Sequence, residues 1–101
     1  MDADQIYKAA MQKWGRSAQV GIAVEEMGEL LSALSRHARG RVGVDAIAEE
    51  IADVSICIEQ LALAFDVQSA VTDIKERKQL RLAQRIAGSN GDEQWMRIKN
   101  S

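Results

Sequence analysis

Apolar residues recur along this chain at spacings of three and four, the period of a helix. Ala3, Ile6, Ala10 and Trp14 mark a first short helix over residues 2–14, ended by Gly15, with Ser17 placed to cap the second helix. Over residues 17–39, Val20, Val24, Met27, Leu31, Leu34 and Ala38 form one packing seam. A second arc on that helix contains Ile22, Ala23, Leu30 and Ala33. Arg39, Gly40, Arg41, Val42 and Gly43 make a turn, its arginines read as solvated. A third helix, over residues 45–65 with Asp45 as cap, carries Ile47, Ile51, Val54, Ile58, Leu61 and Phe65 as its main stripe. Ile56 and Leu63 lie on its other side, so this helix is apolar nearly all round and must be buried nearly all round. Asp66 and Val67 make a short connection to a fourth helix that runs to about residue 87, and the apolar line Val67, Val71, Ile74 continues without changing direction as Lys78, Arg81 and Arg85. Residues 88–91 end it, and residues 92–99 are expected to add a short helical turn bearing Trp95 and Met96.

Composition agrees with an all-α fold: proline is absent, aromatics are 4% and helix formers dominate. The expectation is a four-helix bundle in a single domain over residues 1–101, with a core over about 14–87 and a short extension over 88–101. A chain of 101 residues buries only about 60–70% of its unfolded surface, and four helices cannot cover both apolar faces of the second and third. The bundle is therefore expected to be completed by homo-oligomerisation, as a homodimer or homotetramer. A net charge of −2 with mixed signs argues against nucleic acid as a partner, and no apolar run is long enough for a membrane. Cys57 has no partner for an internal disulfide and reads as a small buried hydrophobe. With an acidic start, Met1-Asp2-Ala3-Asp4, in place of a signal peptide, the expected location is cytoplasmic.

The polar residues that break the apolar pattern carry the candidate chemistry. Glu25-Glu26-x-x-Glu29 and Glu49-Glu50-x-x-Asp53 repeat one acidic pattern on consecutive helices. Positions i and i+3 share a helix face, so Glu26 with Glu29, and Glu50 with Asp53, can supply oxygens to one site if the helices run antiparallel. Glu26 falls inside the second apolar arc, where an uncompensated carboxylate is costly. Gly28, a poor helix former among the acids, suggests close approach of a ligand or another helix. Four carboxylates without His or Cys ligands favour a hard divalent cation, Mg²⁺ or Mn²⁺. A di-iron bundle needs Glu-x-x-His, and the residue three before His37 is Leu34; His37 falls on the second apolar arc and reads as a packed structural histidine. Trp14 reads first as a core or interface residue, with base stacking in a substrate site as the alternative.

The segments Glu25-Glu26-Met27-Gly28-Glu29-Leu30 and Glu50-Ile51-Ala52-Asp53 resemble the Glu-x-x-Glu, spacer, Glu-x-x-Asp mark of the MazG-like all-α nucleoside triphosphate pyrophosphohydrolases. Lys75-Glu76-Arg77-Lys78-Gln79-Leu80-Arg81 is similar to the family's Lys-x-x-Lys-Asn-x-Arg segment, with Gln79 in place of Asn. The resemblance spans residues 14–85 and implies Mg²⁺-dependent cleavage of a nucleoside triphosphate to the monophosphate and pyrophosphate. It implies Glu26, Glu29, Glu50 and Asp53 as metal ligands, Glu25 and Glu49 as groups that orient the attacking water or take its proton, and Lys75, Lys78 and Arg81 as phosphate contacts. It also favours dimers or tetramers, and nucleotide-pool cleansing is one role it allows. The alternatives are a nucleotide sensor without turnover and a helical interaction module whose acids are solvated.

Overall fold

A computed structural model describes residues 1–88. These form three α-helices and no strand: α1 (Ala3–Ala38), α2 (Val44–Ala64) and α3 (Gln68–Ala87). The all-α expectation holds, with three helices in place of four. The expected first and second helices are one element, α1, broken where Gly15 takes φ 82° and ψ 168°. That backbone region is open to glycine and strained for any other residue. The turn expected at residues 92–99, with Trp95 and Met96, lies outside the described residues. The chain divides into two compact units, Met1–Val67 and Gln68–Ser101.

In the first unit α1 and α2 form an antiparallel hairpin. Glu29 meets Glu50 at one level and Arg16 reaches the Phe65 ring at another, 5.1 Å from its centre. In such a register a straight α1 would carry Tyr7 far past the end of α2. Instead the Tyr7 hydroxyl donates a hydrogen bond to the Glu59 carboxylate, so the chain doubles back at Gly15 and lays its first arm beside the C-terminal part of α2. The arm starts at Asp2 in a capping box: the Asp2 side chain accepts from the Gln5 amide, and the Gln5 side chain accepts from the Asp2 amide, both at 2.8 Å.

The C-terminal ends of both hairpin helices are closed by paired backbone bonds. At the end of α1 the Arg41 amide donates to the Arg36 carbonyl and the Gly40 amide to the His37 carbonyl, with Gly40 at φ 71°. This is a Schellman motif, with glycine at its left-handed position. The His37 Nδ1–H adds a bond to the Val42 carbonyl at 2.9 Å, which fixes its proton on Nδ1 and gives the ring a structural task in the turn. After α2 the same pair recurs, Val67 to Ala62 and Asp66 to Leu63, with Asp66 in the left-handed position at φ 54°. Neither expected cap is used. Ser17 lies inside α1, and Asp45 lies in the first turn of α2, whose N-cap is Gly43.

The face of α1 that packs is the second arc, not the seam read from the sequence. Gln19, Ala23 and Ala33 are buried, with Glu26 and Leu30 half-buried between them, whereas Val24 and Leu31 are 66% and 69% exposed. Positions 19, 23, 26, 30 and 33 follow the alternating four-three spacing of a helix–helix seam as well as the expected set does. The main stripe of α2 divides in the same way. Val54 and Cys57 are buried, with Ile47, Glu50 and Leu61 half-buried, while Ile51, Ile58 and Phe65 stay exposed. Small side chains on α1, Ala23 and Ala33, allow the closer approach and decide which face is chosen. A Cβ at Gly28 would meet nothing within 4 Å, so no close helix approach explains that glycine.

The second unit is, among the described residues, α3. Its Thr72 hydroxyl bonds back to the Gln68 carbonyl at 3.0 Å, and Val71, Ile74 and Leu82 share one side of the helix with Lys75 and Lys78.

Gly15 predicts a measurable cost. Any side chain there must adopt the strained backbone, so Gly15→Ala should lower unfolding free energy by about 1–3 kcal/mol in urea titration. The protection of arm amides against hydrogen exchange should fall with it. An unchanged midpoint would mean that the reversal does not depend on glycine.

Candidate metal centre

The α1–α2 seam brings three of the expected acids together. One carboxylate oxygen from each of Glu26, Glu29 and Glu50 lies within 4.8 Å of the others. Oxygen ligands at about 2.0–2.6 Å from a cation stand no more than about 5 Å apart, so this spacing suits a single hard cation. Glu26 and Glu50 occupy seam positions on the two facing helices. Glu29, one turn from Glu26, sits at the solvent edge and is exposed.

Two atoms in this cluster lack what a buried charge requires. Oε2 of Glu26 and Oε2 of Glu50 are both shut off from solvent without a hydrogen-bond partner. Buried carboxylates persist when they are paired, hydrogen-bonded or bound to a metal. Among the described residues no donor fills that role, and the apolar seam positions Ala23, Leu30, Ile47 and Val54 offer none. The donor set is oxygen throughout, the chemistry that Mg²⁺ or Mn²⁺ takes.

Electrostatics point the same way. Burial pushes the Glu26 and Glu50 carboxyls above the ordinary 4.5, and the Glu29 and Asp53 charges push them further. Glu50 also raises Glu26 directly. Nothing in either set lowers them. The negative field is thus concentrated in the seam and calls for a cation or protons.

The other expected residues take different places. Asp53 is not in the three-oxygen group; it borders a recess with Glu26 and adds its charge from there. Glu25 and Glu49 are exposed, each beside the seam acid next in the chain, and each raises that neighbour's pKa. Trp14 is 58% exposed on the first arm, with the Lys13 ammonium 5.1 Å from its ring centre and Ile6 and Ala10 beside it; the fold does not bring it to the acids. Lys75, Lys78 and Arg81 belong to α3, where Lys78, Arg81 and Arg85 flank one groove as their spacing requires. Cys57 is 5% exposed, and burial raises its thiol pKa, as befits a packed side chain.

Sequence reasoning overlooked the recess beside the acids, lined by Ile22, Glu26, Asp53, Ile56, Cys57 and Gln60. A signal existed: Ile56, Cys57 and Gln60 come three, four and seven residues after Asp53, and Ile22 precedes Glu26 by four. Comparison with protein-family models, curated proteins and solved structures finds no match to this chain.

The raised carboxyls make stability depend on pH in a defined direction. Between 4.5 and the raised values, the folded chain holds protons that the unfolded chain has lost. Metal-free stability from these groups is therefore fully present below 4.5 and falls as pH rises through that window. In chelator, Glu50→Gln should raise the Tm at neutral pH, because an amide can donate to Glu26 and carries no charge. It should also flatten the loss of stability between acidic and neutral pH. A lower Tm for Glu50→Gln in chelator at neutral pH would show that the seam does not suffer from this charge.

Proposed function

We propose that the chain is a Mg²⁺-dependent nucleoside triphosphate pyrophosphohydrolase, with Mn²⁺ as a substitute. The observation that carries this reading is the pair of buried, partnerless carboxylate oxygens on facing helices, joined by a third within cation-binding distance. The resemblance of the acidic segments to the MazG-like family supplies the reaction. Bound among these acids, a cation would supply positive charge for the triphosphate and a more acidic water. Glu26, Glu29 and Glu50 would hold it, and the resemblance adds Asp53, which lies outside the three-oxygen group, as a fourth ligand. Glu25 and Glu49, exposed beside the seam, orient the attacking water or accept its proton. Water adds at the α-phosphorus, the bond from that phosphorus to the bridging oxygen breaks, and the products are a nucleoside monophosphate and pyrophosphate. The resemblance assigns phosphate oxygens to Lys78 and Arg81, with Lys75 beside them, a task suited to the guanidinium's paired donors.

The same reading includes a homodimer or homotetramer. What supports it is apolar surface left open on both helices of the hairpin: Val24, Leu31 and Leu34 on α1, and Ile51, Ile58 and Phe65 on α2. Exposed apolar residues on both helices favour association. Light scattering should give a mass of at least twice 11.1 kDa, and Leu31→Glu with Ile58→Glu should reduce it toward one chain. A wild-type monomer at working concentration would remove the oligomer from the proposal.

Activity gives the direct test. Pyrophosphate release from a panel of nucleoside triphosphates should require Mg²⁺ or Mn²⁺, stop in chelator, and be abolished by Glu50→Gln with helical content unchanged. In oxygen-18 water the label should appear in the monophosphate. Full activity in chelator would refute the metal site; label only in pyrophosphate would move the attack to the β-phosphorus.

A further inference from the structure

One face of α3 carries open apolar surface and positive charge side by side. Val71, Ile74, Lys75, Lys78, Gln79 and Leu82 line a groove along the helix. Their spacing of three and four residues puts them on a single face. Val71, Ile74 and Leu82 are 41%, 42% and 47% exposed, and each would gain from burial. Neither acid of α3, Asp73 or Glu76, lines the groove, so its formal charge is positive. An occupant that matches this face needs apolar side chains next to carboxylates.

Residues 92–98 of the same chain have that composition. Asp92 and Glu93 are followed by Trp95, Met96 and Ile98. The segment belongs to the same compact unit as α3, Gln68–Ser101. Gly88 and Gly91 stand between it and the helix, and glycines permit a reversal. Reach is sufficient. Lys78 and Ile74 precede Gly88 by ten and fourteen residues, about 15 and 21 Å along the helix. Glu93 and Trp95 follow Gly88 by five and seven residues, which span about 16 and 23 Å when extended. A returning chain can thus set Glu93 level with Lys78 and Trp95 level with Ile74. The tether also holds the segment at a high effective concentration, against which any free partner must compete.

We propose that residues 92–98 fold back as a strap over this groove. Trp95, Met96 and Ile98 cover Val71, Ile74 and Leu82, and Asp92 and Glu93 face Lys78. The strap sets carboxylates against a lysine that the hydrolase reading assigns to phosphate, so it gates this face against anions. Docking of the strap does not depend on that reading.

The test uses the full chain carrying Trp14→Phe, which leaves Trp95 as its one tryptophan. Trp95 emission should be blue-shifted, and acrylamide should quench it several-fold less than in the urea-unfolded chain. Ile74→Asp should bring quenching close to the unfolded value with helical content unchanged. Asp92→Asn with Glu93→Gln leaves α3 untouched and should expose Trp95 in part. Asp73→Asn with Glu76→Gln makes the same change in charge off the groove and should have no effect. Protection of Trp95 should persist on dilution and with Leu31→Glu and Ile58→Glu, as docking within one chain requires. Inorganic tripolyphosphate, added without metal, should expose Trp95 more than sodium chloride of equal ionic strength, because it competes for the lysines. A Trp95 as exposed as in the unfolded chain, or one indifferent to Ile74→Asp, overturns the strap. Loss of protection on dilution assigns the segment to a second copy and overturns it as well. Equal effects of the two salts overturn the gate and leave the docking in place.

Discussion

Two carboxylates in one helix–helix seam set the terms for the first unit. The faces of α1 and α2 that hold the hairpin together are the faces that carry Glu26 and Glu50. The helices cannot bury Ala23, Ala33, Val54 and Cys57 without also drawing two like charges out of water. Protein interiors compensate such charges or are destabilised by them. Here the nearest charges are further acids, and burial raises both carboxyls. A seam that carries this conflict has given up stability where a ligand can restore it, as binding sites commonly do.

Backbone devices fix where that conflict lies. Gly40 and Asp66 end α1 and α2 in matching left-handed closures. Gly15 turns the first arm back, and Tyr7 ties it to Glu59, next to Gln60 at the far end of the recess. Acids, recess and arm thus succeed one another along α2, each about two turns or less from the next. The Arg16 guanidinium over Phe65 closes the bend with a cation–π contact, the kind of contact worth about 0.5–1 kcal/mol at an exposed position.

Much of this molecule is legible in its residues alone. Helical period and the absence of proline determine an all-α chain, because periodicity is local and needs no partner. The breaks at Gly15 and Gly40 are legible for the same reason: a residue free to take positive φ, set between helical runs, marks a change of direction. The acidic spacing placed Glu26, Glu29 and Glu50 on faces that can meet, and they do meet. The buried thiol of Cys57 was also readable from its apolar surroundings, whereas His37, expected to pack on the second apolar arc, is exposed and bonds to Val42 in the turn.

Tertiary structure alone decided which of two apolar faces packs. On α1 the larger residues Val24, Met27 and Leu31 predicted the seam, yet the smaller Ala23 and Ala33 form it. Hydrophobicity along a sequence measures how much a face gains from burial; it does not measure how closely another helix can approach. The same choice split the stripe of α2 and exposed Ile51 and Ile58. It also left Asp53 at the edge of the three-oxygen group, put Trp14 away from the acids and created the recess between Ile22 and Ile56. Sequence determined the elements and the chemistry they carry, because both are set by residues a few positions apart. Which faces meet depends on fit between distant segments, and that is decided only when the side chains share one space.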